Sequence, residues 1–235
     1  MFLSPYFQLS GSTLTVNPEQ ASSFAKGIAD DFNPIHDVDA KRFCVPGDLL
    51  FSLILNKYGL HKSMAFTFEG MVGKGVELTF PESIENTFTL TDLKGKPYVT
   101  LNKSGDVTHN DTQIELFIRA YVAFSGQNFI DILIPLMRQH GMMINPARPL
   151  VIYENMSFEL NSFDFTETHL ALDNSELSIN GKRGDVSLTF NLFNERNELI
   201  GTGHKSLILS ALRELDENAI EAMLDEYNER KQSFK

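Results

Sequence analysis

The chain has 235 residues, which fits two compact units or one decorated one. A formal net charge of −11 argues against a broad nucleic-acid-binding face, and the single cysteine, Cys44, rules out an intrachain disulfide or a multi-cysteine zinc site. No apolar run reaches the roughly 18 residues of a membrane span, and the N-terminal residues lack the basic and apolar regions of a signal peptide, so a cytoplasmic protein is expected.

Residues 6–16 read as two short strand pieces around Ser10-Gly11-Ser12. Asn17 is a good N-cap, Pro18 a good first helical residue, and Glu19 an acid suited to the first turn; the helix they start is predicted to run to about Asp30. Gly47–Tyr58 is predicted as a second helix, apolar nearly all round and therefore buried, with Gly59 as its stop. Strands are expected at about 64–68, 75–80, 85–93, 97–103 and 112–124, the last from the alternation Ile114-Glu115-Leu116-Phe117-Ile118. A helix capped by Asn128 follows, from Phe129 to about His140, in which Pro135 implies a kink or a short first segment. After a linker at Asn145-Pro146-Ala147-Arg148-Pro149, strands are expected at about 150–160, 165–172, 176–180, 185–193 and 199–210, with Asn194–Asn197 as a hairpin turn. A C-terminal helix from Asp216 to Gln232 buries Ile220, Met223, Leu224 and Tyr227. Helix followed by strands thus occurs twice, which suggests two units, 1–125 and 126–235. Residue identity between the halves is too weak to prove a duplication.

The stretch Asp30-Asp31-Phe32-Asn33-Pro34-Ile35-His36-Asp37 concentrates the candidate chemistry. Asn33-Pro34 is a turn signal, so Asp31 and His36 flank a rigid kink and can point into one space. A carboxylate held beside an imidazole is the minimum needed to move a proton near neutral pH. The pattern Asp31-x-Asn33-Pro34-x-His36, followed by Ala40, Phe43 and Val45-Pro46-Gly47 opening an apolar helix, resembles the signature of the MaoC-like, (R)-specific enoyl-CoA hydratases over roughly residues 18–80. That resemblance implies the hot-dog fold. With the repeated element order it implies an α+β double hot-dog, in which two antiparallel sheets each wrap a helix. It also implies a hydratase or dehydratase acting on a 2-enoyl or 3-hydroxyacyl thioester. Asp31 and His36 would be catalytic, Asn33 would orient the loop, and the Gly47 N–H would face the oxyanion. The implied partner is an acyl-CoA or acyl carrier protein thioester, with no metal or other cofactor, and the chain would run as a monomeric pseudo-dimer or a homodimer. Two positions depart from the pattern: Pro46 stands where the family usually has His, and Asp48 where an apolar residue is usual. An inward-facing Asp48 would oppose an oxyanion at the helix start and mark a rewired or lost site.

Other reaction classes have weaker support. A non-catalytic acyl-thioester or lipid-binding module is the alternative, and a thioesterase a third reading in the same fold. Lys57, His61, Lys62, Lys74, Lys94 and Lys96 are candidates for carrier phosphates, weighed against ordinary solvated side chains. Gly70–Gly75 is glycine-rich without P-loop spacing, and His109, His140, His169 and His204 lack metal-ligand spacing. Ser52 has no nucleophile-elbow context, Cys44 reads as a buried thiol, and Asp185 and Glu159 read as strand or turn acids.

Overall fold

A computed structural model of the chain describes residues 2–82, 84–146 and 150–234; the last three residues of the expected 145–149 linker lie outside them. The N-terminal hairpin β1 (Gln8–Ser10) and β2 (Thr13–Thr15) turns at Gly11, whose φ of 61° favours glycine. Helix α1 (Pro18–Gly27) starts at the expected cap. Asn17 Oδ1 accepts from the Gln20 N–H at 2.8 Å, and Gln20 Oε1 accepts from the Asn17 N–H at 3.0 Å, a reciprocal capping box. The buried helix α2 (Gly47–Tyr58) has the predicted bounds and ends at Gly59, which has a φ of 87° and donates its N–H to the Leu55 carbonyl. Strands β3 (Leu60–Phe68), β4 (Leu78–Thr79), β5 (Thr87–Asp92) and β6 (Pro97–Thr108) follow, with β4 shorter than expected.

The expected strand at 112–124 is a helix, α3 (Asp111–Asn128). Asn110 caps it, its side-chain oxygen accepting from the N–H groups of Thr112 and Gln113 at 3.0 and 3.2 Å. Ile114, Phe117, Ile118, Tyr121, Val122 and Ser125 are buried at helical spacing. That period, sustained over three turns, outweighs five residues of alternation. Asn128 is not a cap, because α3 continues through a π turn (Phe129–Leu133) into α4 (Ile134–Gln139). Pro135 lacks the N–H of a regular helical turn, and the wider turn before it, closed by Ile134 N–H to Phe129 carbonyl, absorbs the mismatch. The stretch Asp111–Gln139 reaches a mean hydropathy of 1.2 over an 18-residue window, and 56% of that window is buried within the protein, as in a core helix.

After β7 (Met142–Met143) come β8 (Val151–Leu160), β9 (Thr168–Asn180), β10 (Arg183–Asn194), β11 (Leu199–Ser210), β12 (Arg213–Glu214) and α5 (Glu217–Phe234). The two strands expected at 165–180 are the single strand β9, and the turn at 194–197 joins β10 to β11 as expected. Ten strands form one antiparallel sheet in the order β1-β2-β4-β5-β6-β3-β8-β11-β10-β9, and β7 pairs with β12 in a second, small sheet. The early and late strands meet where β3 pairs with β8, with Met64 opposite Phe158 and Phe66 opposite Met156. Phe51 of α2 lies edge-on to Phe66 and Phe158 and 4.6 Å from the Tyr121 ring of α3, so side chains from both halves of the chain meet in one core cluster at the centre of the sheet. The large sheet wraps the helical layer of α2 and the long α3, a hot-dog-like α+β arrangement. The boundary expected at residues 125 and 126 falls inside α3.

Candidate functional site

The motif turn is built from its own polar groups. Past α1, Asp30 takes a left-handed φ of 55° and the chain doubles back, the Asp31 N–H donating to the Ala25 carbonyl at 2.9 Å. Asp31 Oδ1 accepts from the Asn33 N–H at 2.9 Å, and Asn33 Oδ1 accepts from the Ile35 N–H at 3.1 Å, opening a short 3₁₀ turn (Pro34–His36). Asn33 therefore orders the loop through its side chain. Gly126 of α3 lets the turn press close, since a Cβ there would lie 1.8 Å from the Ala29 carbonyl oxygen. From the other side α5 clamps the turn. The Tyr227 hydroxyl donates to the Asp30 carbonyl at 3.1 Å, Lys231 pairs with Asp30, Arg230 pairs with Asp37, and the Tyr227 and Phe234 rings stand edge-on to Phe32.

Asp31 and His36 both line a cavity of about 260 Å³, together with Asn33, Pro46, Gly47 and Asp48. His36 Nδ1 lies 2.7 Å from the Cys44 carbonyl oxygen, so that nitrogen carries a hydrogen and donates it. Nε2 is left toward Asp31, 3.6 Å from its Oδ2, too long for a direct hydrogen bond. Burial pushes the Asp31 carboxyl above its usual range, against the opposing pull of His36 and the Asn33 N–H. Cys44 is half-buried; burial pushes its thiol up to about 12, and it donates to the Val45 carbonyl.

Asp48 points inward. Its carboxylate is 2% exposed, and Oδ2 accepts from the Ser125 hydroxyl at 2.7 Å and the Tyr153 hydroxyl at 3.1 Å. Lys205, fully buried on β11, donates to Ser125 Oγ and holds its ammonium 3.7 Å from the centre of the Tyr153 ring. Burial lowers the Lys205 ammonium below its ordinary range, and the Asp48 and Asp31 carboxylates oppose that shift. Burial, then Asp48 and Asp31, raise the Tyr153 phenol. Four elements thus meet at one charge-compensated cluster beside the first turn of α2. Gly47 leaves room for it: a Cβ there would lie 2.9 Å from the Tyr153 ring and 3.1 Å from Phe68. The orphan amides of that first turn border the cavity, where a helix start favours negative charge.

The sequence pointed to Asp31, Asn33, His36 and Gly47, and the fold brings all four to one cavity. It did not point to Ser125, Tyr153 or Lys205. The signal for Lys205 was present: it shares the inward parity of Leu207 and Leu209 along β11. Ser52 donates to the Asp48 carbonyl inside its own helix. Lys57 lies 3.7 Å from Glu82 and Lys62 2.9 Å from Asp106, so these lysines sit in ordinary surface pairs. Among the described residues no three His, Cys, Asp or Glu side chains are grouped to hold a metal.

Residues 1–218 match the family model described as "Protein of unknown function (DUF3581)", and the chain belongs to that family. Among curated proteins none matches the sequence. Solved structures with a similar course of the chain include a MaoC-like dehydratase, at 12% identity and a TM-score of 0.43, covering 88% of this chain and 98% of that one. Another is the peroxisomal multifunctional enzyme type 2 of Drosophila melanogaster, at 11% identity and a TM-score of 0.44, covering 82% of this chain and 47% of that one. A third is acyl-CoA thioesterase II TesB2 of Mycobacterium marinum, at 11% identity and a TM-score of 0.40, covering 92% and 98%.

Two stability measurements follow from these buried charges. The raised Asp31 carboxyl favours the neutral form in the folded state, so its contribution to stability is complete below the unfolded value of about 3.9 and is lost as pH rises through the folded value. Asp31→Asn should therefore resist urea better than wild type at neutral pH, with the gap closing toward about pH 4; a less stable variant at neutral pH would contradict this. Lys205→Met strands the Asp48 charge and should cost about 3–5 kcal/mol, and adding Asp48→Asn should recover a large part of it, as read by urea midpoints at constant slope.

Proposed function

We propose that this protein is a hydratase or dehydratase of 2-enoyl and 3-hydroxyacyl thioesters, built as a double hot-dog. The observation that carries the reading is the convergence of Asp31 and His36 on one cavity beside the N-terminus of α2. The gap between His36 Nε2 and Asp31 Oδ2 suits a water held by both. In hydration, one of the pair takes a proton from that water as its oxygen bonds to the β-carbon, and the pair returns a proton to the α-carbon. Negative charge gathers on the thioester oxygen between these events. The Gly47 N–H at the helix start is the donor placed for it, and the buried Lys205 offsets the Asp48 carboxylate next to it. Dehydration runs the same steps in reverse.

In the double hot-dog reading, the first unit wraps α2 and the second uses α3 as its central helix, so the junction lies nearer Asn110 than residue 126. The β3–β8 pair joins the two units, and one chain would then close the fold without a second copy. The thioester carrier is coenzyme A or acyl carrier protein. A second reading, thioester binding without turnover, is favoured by the inward Asp48 in the first turn of α2.

Wild type should hydrate a 2-enoyl-CoA. His36→Ala and Asp31→Asn should each lower kcat/KM by about 10²–10⁴-fold, and the double variant should fall little below the worse single one. Wild-type protein that binds enoyl thioesters of several chain lengths and never hydrates them would reject the lyase and leave the binding module.

A further inference from the structure

A second cavity, of about 610 Å³, lies between the motif turn and α5. It falls within the about 300–1,000 Å³ of small-molecule sites, which are mostly apolar with a few placed polar groups. Its body is apolar: Phe32, Phe129, Ile144, Val151, Met223 and Tyr227 line it, and the Phe129 and Tyr227 rings stack 6.2 Å apart. Three charged side chains also line it, Arg213, Glu226 and Arg230. Two of these are satisfied by the protein, since Arg230 pairs with Asp37 and, at 2.9 Å, with Glu226. Arg213 is not. It is an exposed residue of β12, so it stands at the mouth of the cavity. The β7–β12 pairing sets it opposite Met143, and its guanidinium reaches Met143 Sδ at 3.8 Å, a weak acceptor. Among the described residues it has no carboxylate partner. The cavity thus carries one unopposed positive charge in a chain of net charge −11.

We infer that this second cavity is a binding site for a monocarboxylate with an apolar body, its head on Arg213 and its chain along the Phe129, Tyr227 and Met223 side chains. The guanidinium fork matches a carboxylate with two parallel N–H donors, and one unopposed cation suits one negative charge. The apolar walls supply the rest, since each methylene that leaves water for them adds to the affinity. A short carboxylate would leave those walls wet, an alcohol of the same chain would gain nothing from the charge, and an alkylammonium would meet a like charge. The site is separate from the cavity of Asp31 and His36 and does not depend on the thioester reading. It does share the motif turn: Phe32, Asn33 and Pro34, the residues between that pair, line it, so an occupant packs against the turn that holds them.

Calorimetric titration of the full chain with decanoate, below its micelle-forming concentration, tests this, with 1-decanol and acetate as the body and the head alone. Wild type should bind one decanoate, about fivefold or more tighter than decanol, and should show no heat with acetate. Arg213→Gln, a change at an exposed side chain, should weaken decanoate about fivefold or more and leave decanol within about twofold, and Arg213→Lys should keep part of the preference. Ala219→Phe, which fills the cavity from α5, should weaken decanoate and decanol alike. Equal affinity for decanoate and decanol, or a preference unchanged in Arg213→Gln, would overturn the inference. So would decanoate binding that Ala219→Phe leaves untouched, since the ligand would then sit elsewhere, or no decanoate binding at all.

Discussion

A carboxylate and an ammonium buried together inside the sheet set the terms for everything around them. Asp48 at the start of α2 and Lys205 on β11 are joined through Ser125 of α3 and Tyr153 of β8. Removing two such charges from water costs several kcal/mol each, and an apolar substitute of similar volume would often serve stability as well or better. What the cluster does accomplish is positional. It fixes the first turn of α2 against strands that lie over a hundred residues later in the chain, and it keeps one edge of the cavity polar. Gly47 and Gly126 supply the remaining close approaches: a Cβ at Gly126 would overlap the Ala29 carbonyl, and one at Gly47 would force the Tyr153 ring to shift.

Two pairs of titratable groups of different character therefore lie at the cavity and behind its wall. Asp31 and His36 belong to a turn shaped by Asx hydrogen bonds and clamped by α5, whereas Asp48 and Lys205 belong to the packed centre. They are coupled through space: Asp48 raises the Asp31 carboxyl and Lys205 lowers it. The inward Asp48 looks, from sequence, like an obstacle to charge developing at the helix start. With Lys205 beside it, the pair is neutral overall, and the obstacle becomes a fixed polar wall.

Much of this was legible in the chain. The capping of α1 by Asn17, the bounds of α2, the turn at Asn33-Pro34 and the hairpin at Asn194–Asn197 each rest on local chemistry, and the structure agrees with them. The motif turn was readable for the same reason, since Asn33 and Pro34 determine its shape within a few residues. Helix α3 was not, because the short alternation at Ile114–Ile118 hid a helical period that only its whole length reveals. Ser125 takes its inward place from the same helical period. Strand parity marks Lys205 as inward, but its partners, like the role of Tyr153, come from the β8–β11 pairing and the sheet's contact with two helices, which no local pattern reveals. Asn128 shows the same limit: it has the chemistry of a cap, and the π turn that follows carries the helix past it.

If Asp31, His36 and an acyl thioester share one cavity, nitrogen NMR of His36 will report it. In ¹⁵N-histidine-labelled protein, with the His36 signals assigned by His36→Gln, Nδ1 should be protonated in the free state through its bond to the Cys44 carbonyl. On addition of saturated butanoyl-CoA the His36 Nε2 signal should shift, with Nδ1 still protonated and the other histidines unmoved. A thioester that binds and leaves Nε2 unchanged, or a His36 with its hydrogen on Nε2 alone, would contradict it.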